Sequence, residues 1–121
     1  MEANSASEFL REFNDAFFKG KKDFIEQHVS DDVVWIMVGA MPLKGRQALI
    51  DAAFGMQDYT QMDYVVDMVI AQGQEGAVKG VMTSKGGNER ERRYCYCDFY
   101  EWQESGELQI TKMTSFVVET K

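Results

Sequence analysis

The chain has 121 residues, 45% of them hydrophobic, and a single proline, which excludes collagen-like and disordered classes. A chain this long forms one domain, residues 1–121, and buries about two-thirds of its extended surface on folding, enough for a core without metal or disulfide staples. Thirteen Lys and Arg against 20 Asp and Glu leave a net charge of −7, a field that repels phosphate backbones and anionic membranes, so neither nucleic acid nor a membrane is expected as a partner.

The segment MEANSASEFLREF lacks the basic stretch and apolar block of a secretory signal, and a cytoplasmic protein is expected. Ser5 and Glu8 have capping-box spacing, and Phe9, Phe13 and Phe17 then stack along one helical face, which predicts a first helix from about Ala6 to Lys19. Gly20 can take the left-handed conformation that ends it. Phe24, Ile25 and His28 give a short second helix over Lys22 to Val29, which Asp31 and Asp32 are expected to break. Val33 to Gly39 reads as a strand. The longest nearly apolar run, Val33 to Leu43, contains Gly39 and Pro42 and is too short to span a bilayer. Gly45 to Phe54 returns to helical spacing and is expected to end at Gly55.

After Gly55 the period changes to two. Met62, Tyr64, Val66, Met68 and Ile70 alternate as the buried face of a strand. Gln72 to Gly76 is a predicted turn, Ala77 to Ser84 a strand, and Lys85 to Asn88 a second turn. Glu91 to Gln103 is the longest strand, Glu104 to Gly106 turns it back, and Leu108 to Glu119 is the last strand. Helices followed by a four-stranded antiparallel meander predict an α+β fold, with the helices on one face of a bent sheet.

Most catalytic templates fail. His28 is the single histidine, and no nucleophile-elbow motif accompanies it, so it reads as a packed or capping group. Cys95 and Cys97 emerge on one face of a strand, too divergent for a mutual disulfide and too few for a metal site, so reduced thiols and no metal are expected. The glycines at 73, 76, 80, 86 and 87 match no phosphate loop and read as turns and one strand kink, and the alternating charges from Glu89 to Arg93 read as a solvated edge.

The strand from Arg92 to Trp102 differs, because alternation places Tyr94, Tyr96, Asp98, Tyr100 and Trp102 on one face and Cys95, Cys97 and Phe99 on the other. If the first face looks under the helices, burial raises the Asp98 pKa toward usefulness as an acid; if it faces solvent, Cys97 and Phe99 form the core instead.

The order and spacing of FLREFNDAFFKG, a second helix ending in VSDD, the strand VVWIMVG, the helix start KGRQALIDAAF and the closing YCDFYEWQESGELQITKM resemble the nuclear transport factor 2-like superfamily, which includes ketosteroid isomerases, SnoaL-like polyketide cyclases and limonene epoxide hydrolases. The resemblance implies a cone-shaped, curved mixed or antiparallel sheet wrapped around N-terminal helices, of the cystatin-like type. It places Asp98 in an apolar pocket as the acid/base candidate, with Phe13, Phe17, Trp35, Met37, Phe54, Tyr94, Tyr96, Tyr100, Trp102 and Met113 as its walls. Ketosteroid isomerase uses an aspartate base and an oxyanion hole built from a tyrosine and a protonated aspartate, and Asp98 matches the oxyanion aspartate. Here the tyrosine position falls on Phe13 and the base position on Met37 or a neighbour, while Tyr96 stands where the epoxide hydrolases carry an arginine. What remains implied is a small lipophilic ligand without a cofactor, acted on by an isomerase, cyclase or hydrolase or held by a noncatalytic domain. A homodimer through the face of Cys95, Cys97 and Phe99 would cover those apolar groups.

Overall fold

The computed structural model describes residues 3–54, 62–84, 91–104 and 106–120, with the backbone alone for 3–5 and 62. Among these residues three helices, α1 (Ala3–Phe18), α2 (Lys22–Gln27) and α3 (Arg46–Phe54), accompany six strands: β1 (Val29–Met37), β2 (Leu43–Lys44), β3 (Met62–Gln72), β4 (Glu75–Ser84), β5 (Arg92–Gln103) and β6 (Gln109–Thr120). The strands form one sheet in the order β2-β1-β6-β5-β4-β3. The meander β3 to β6 is antiparallel as expected, β1 joins β6 in parallel, and β2 closes the edge antiparallel to β1. Register shifts interrupt three of these ladders, at Val29/Val34, Val66/Met68 and Glu101/Trp102. Each extra residue bends its strand, so the sheet curves around α1, which lies across β3 and β4, while α3 lies on β1.

The helix α1 buries Ala6, Leu10, Phe13, Asn14 and Ala16, and Gly20 follows it at φ +69°, the left-handed conformation predicted for it. Leu10, Phe13, Ile25, Val29, Val33, Leu49, Val78 and Ile110 are fully enclosed between the helices and the inner sheet face. At about 25 cal/mol per Å² of apolar surface, this layer is the main source of stability.

Four local expectations are corrected. The helix α1 is already helical at Ala3, so Ser5 lies inside it and is not its cap. Asp31 and Asp32 do not break the chain: β1 begins at Val29, because Arg46 donates to the Val29 carbonyl at 2.9 Å and pairs with Asp31 at 2.6 Å, while Ser30 donates to Asp32. The second helix stops at Gln27, capped by His28, whose backbone N–H reaches the Ile25 carbonyl and whose Nδ1 lies 2.7 Å from the Phe24 carbonyl. On β3 the bulge after Val66 exchanges the faces, so Val69 and Ala71 pack against the core while Met68 and Ile70 are exposed. Gly55, the turn at Lys85 to Asn88 and Glu89 and Arg90 of the charge cluster lie outside the described residues, while Glu91, Arg92 and Arg93 are exposed.

Candidate functional site

Strand register assembles the inner face as a grid. One row runs Val78, Asp98, Ser115, Met37 across β4, β5, β6 and β1; the row on one side runs Gly76, Tyr100, Met113, Trp35, and on the other Gly80, Tyr96, Val117. Asp98 therefore sits at the centre of the curved sheet, with an aromatic two residues away on either side. The helix α1 lays Asn14, Phe17 and Phe18 over this grid, and α3 contributes Ala52 and Ala53, leaving a cavity of about 300 Å³. Its described wall carries one charged residue, Asp98.

The alternation on β5 holds: Tyr96, Tyr100 and Trp102 are buried, while Cys95 and Phe99 are exposed. Of the residues expected to line a pocket, Phe17, Trp35, Met37, Tyr96, Tyr100 and Met113 surround this cavity together with Asp98. Four others lie elsewhere. Phe13 sits behind the wall, edge-on to Tyr100 at 5.7 Å, and Phe54 stacks on the back of Phe17 at 5.9 Å. Trp102 lies deeper in the core near Leu10 and Gly76, and Tyr94 is half-buried beyond the cavity, opposite Met82. Asn14, Phe18, Ala52, Ala53, Met82, Ser115 and Val117 line it without having been expected. Asn14 carried a legible signal: it follows Leu10 by one helical turn and so interrupts an apolar stripe with an amide.

The polar groups form a chain. Tyr96 donates to Asn14 Oδ1 at 2.9 Å, which orients the amide so that its Nδ2 points at Asp98 Oδ2, 3.5 Å away. Tyr100 approaches the same oxygen at 3.5 Å, and Trp35 Nε1 donates to Ser115 Oγ at 2.9 Å. Burial pushes the Asp98 carboxyl from its ordinary 3.8 up to about 6, against the opposing effect of hydrogen bonds from Ser115 and Tyr100. Burial, reinforced by the neighbouring carboxylate, also raises the Tyr96 and Tyr100 phenols, so both remain protonated donors. A carboxyl titrating near 6 exchanges its proton close to neutrality, the condition an acid/base group needs.

The Tyr96 bond has a measurable worth. Tyr96→Phe leaves Asn14 Oδ1 unpaired in a residue that is 2% exposed, and is expected to cost about 1–2 kcal/mol in urea denaturation. A loss within experimental error would show that the amide is not held by this bond.

Beside the cavity, Tyr64 donates to Asp15 at 2.7 Å and stacks on Phe18 at 4.2 Å, fixing the Phe18 ring against Tyr96. Burial, with the Asp15 contact second, pushes the Tyr64 phenol up to about 12. No cluster of three or more His, Cys, Asp or Glu able to hold a metal occurs among the described residues, and Cys95 and Cys97 are free thiols. No described helix is long and apolar enough to cross a membrane.

Comparison with solved structures recovers the same architecture. An LEH-like epoxide hydrolase from M. tuberculosis superposes with a TM-score of 0.81 at 17% identity, covering 98% of this chain and 86% of that one. An NTF2-like protein of unknown function from Cytophaga hutchinsonii gives 0.77 at 19% identity, with 93% and 98% covered. The epoxide hydrolase/cyclase-like enzyme SalBIII, which acts in pyran ring formation in the polyether salinomycin, gives 0.79 at 17% identity, with 95% and 92% covered. These identities carry the fold alone. No curated protein matches the chain. The family model of the SnoaL-like domain matches residues 10–112, which takes in the second half of α1, the strands β1 to β5 and Asp98, and the chain belongs to that family within the nuclear transport factor 2-like superfamily.

Proposed function

We propose that the cavity is the binding site of a small lipophilic molecule and that Asp98 is its polar anchor and acid/base group. The observation that carries this reading is a cavity of about 300 Å³ walled by aromatic, Met, Val and Ala side chains around a single carboxyl. Epoxide hydrolase and cyclase chemistry in structural neighbours supports a hydrolase or cyclase among the enzymatic versions of this reading. The test is a panel of small epoxides and unsaturated cyclic ketones, with binding followed through the NMR signal of the Trp35 indole N–H and turnover followed separately. Turnover abolished in Asp98→Asn with binding retained supports acid/base catalysis. Binding without turnover of any kind supports the second reading, a noncatalytic ligand-sensing domain. That version draws on one observation: the described wall holds no second carboxyl, histidine or lysine to complement Asp98.

Ketosteroid isomerisation is expected to be absent. Phe13 has no hydroxyl to donate to a dienolate oxygen, and Met37, at the cavity mouth, cannot accept a proton, two contributions each worth several kcal/mol of barrier. Isomerisation of a standard unsaturated ketosteroid that Asp98→Ala abolishes would reveal a base elsewhere in the chain.

The outer sheet face supports a homodimer. Val65, Val81, Cys95 and Val118 form one row across β3 to β6, and the exposed rings of Phe99 and Phe116 pack edge-on at 5.9 Å beside it. Lys79 pairs with Asp67 and Lys112 with Glu101 on the same face, so these four charges are met within one copy and leave the apolar rows for a second. Phe99→Glu is expected to convert a dimer to monomer in sedimentation at micromolar concentration; a monomeric wild type under those conditions would remove the proposal.

A further inference from the structure

We infer that the molecule bound beside Asp98 carries a protonated amine, so that the cavity is a site for small lipophilic cations. This rests on the reading of the cavity as a ligand site and adds the chemical class of the ligand's polar end.

Among the described residues Asp98 has no counter-ion. The groups around Asp98 are neutral: Asn14 from α1, Tyr96 and Tyr100 on β5, Ser115 on β6, Trp35 on β1 and Val78 on β4. The nearest cations in the sheet register point away, because Lys79 lies opposite Cys97 and Lys112 opposite Glu101, both on the outer face, where they pair with Asp67 and Glu101. Arg46 is held by Asp31 and the Val29 carbonyl. The donors that reach the carboxyl are all neutral: the Ser115 hydroxyl, and Asn14 and Tyr100 at 3.5 Å, the long limit of a hydrogen bond. A carboxylate removed from water with neutral donors alone gains most from a ligand that brings the opposite charge.

The walls favour the same partner. Phe17, Phe18, Trp35, Tyr96 and Tyr100 present rings to the cavity, and the negative face of an aromatic ring attracts a desolvated cation. The net charge of −7 draws cations to the molecule and repels carboxylates and phosphates. A neutral ligand would enclose the carboxylate without compensating it, and an anionic one would add repulsion.

The pairing needs Asp98 ionised and the amine protonated. Asp98 titrates at about 6, Tyr96 and Tyr100 far above neutrality, and no other titratable group lies among the described wall residues, so this wall predicts affinity that is full near pH 8 and falls about tenfold per unit below 6.

The experiment compares 2-phenylethylamine, 2-phenylethanol and phenylacetate, followed by the Trp35 indole N–H signal at physiological salt. The amine is expected to bind at least about tenfold tighter than the alcohol near pH 8, with phenylacetate weakest. That advantage should vanish near pH 5 in the wild type and at every pH in folded Asp98→Asn. Alcohol binding as tightly as amine, or an amine preference that persists in Asp98→Asn or at low pH, overturns the cation assignment while leaving the cavity as a ligand site. Should none of the probes move the Trp35 signal, both readings fall. Amine-induced shifts confined to exposed residues would mean attraction to the acidic surface and would equally overturn it.

Discussion

Asp98→Asn is expected to raise the melting temperature at neutral pH by about 5 °C or more, at fixed protein concentration, and to leave it unchanged near pH 4. The carboxyl titrates at about 6 in the folded chain against 3.8 for an ordinary aspartate, a separation that corresponds to about 3 kcal/mol. The folded pKa is raised, so the ionised form is disfavoured on folding. Below about pH 4 both folded and unfolded states hold the proton and the residue costs nothing. Between about pH 4 and 6 the unfolded state ionises first and stability falls; above 6 the full cost is present and constant. An asparagine carries no charge, and the hydroxyls of Tyr100 and Ser115 can rotate to accept from its amide, so most of that cost disappears. Melts across this range should show two curves that coincide in acid and separate toward neutrality, with the variant above. The opposite order at neutral pH, with the gap closing in acid, would mean a depressed pKa and a structural carboxylate, and the acid/base reading of the site would go with it.

The central strand was the most legible part of the molecule because its signal is local. Period-two alternation from Tyr94 to Trp102 requires only that the segment be extended; it separates the two faces but not inside from outside, and the family resemblance supplied the choice that buries Tyr96, Tyr100 and Trp102. What alternation cannot register is a residue count that slips. The bulge after Val66 turns Met68 and Ile70 outward, although the unbroken pattern from Met62 to Ile70 placed both inside. Pairing between distant segments was equally silent. Ser115 enters the site because β6 lies opposite β5 with Ser115 against Asp98, and Trp35 enters because β1 runs parallel to β6 with Trp35 against Met113. Neither register is written in any one segment. Phe13 and Phe54 show the complementary error: both are aromatic, apolar and close, yet a ring that packs behind another ring supports the wall without forming it. Asn14 was the residue most available to reading and least noticed, an amide set into the apolar face of α1 where only a partner such as Tyr96 makes it tolerable.

Gly80→Ala is expected to cost about 3 kcal/mol or more, a large effect for one methyl group in a strand. Gly80 lies directly opposite Tyr96 on β5 and Val66 on β3, and the Tyr96 ring lies across it on the way to Asn14. An added Cβ would collide with the Val65 carbonyl oxygen and would stand 2.7 Å from the Tyr96 hydroxyl and 2.8 Å from its ring. The carbonyl belongs to the backbone beside the β3 bulge and cannot swing away, and the ring is confined between Phe18 and the sheet. Gly80 is therefore more than a kink: its missing side chain is the space that lets a large tyrosine lie flat and reach a helix residue. The same clash should disturb the site, because displacing Tyr96 releases the Asn14 amide that points at Asp98. A double-mutant cycle separates the two consequences. In a Tyr96→Phe background the hydroxyl contact is gone, so Gly80→Ala should cost about 1 kcal/mol less there, while the part due to the Val65 carbonyl remains. Strict additivity in denaturation would show that the strand absorbs the methyl group by moving β3 alone, and a Gly80→Ala protein within about 0.5 kcal/mol of wild type would show that this row of the sheet has slack that the enclosed geometry of Tyr96 denies.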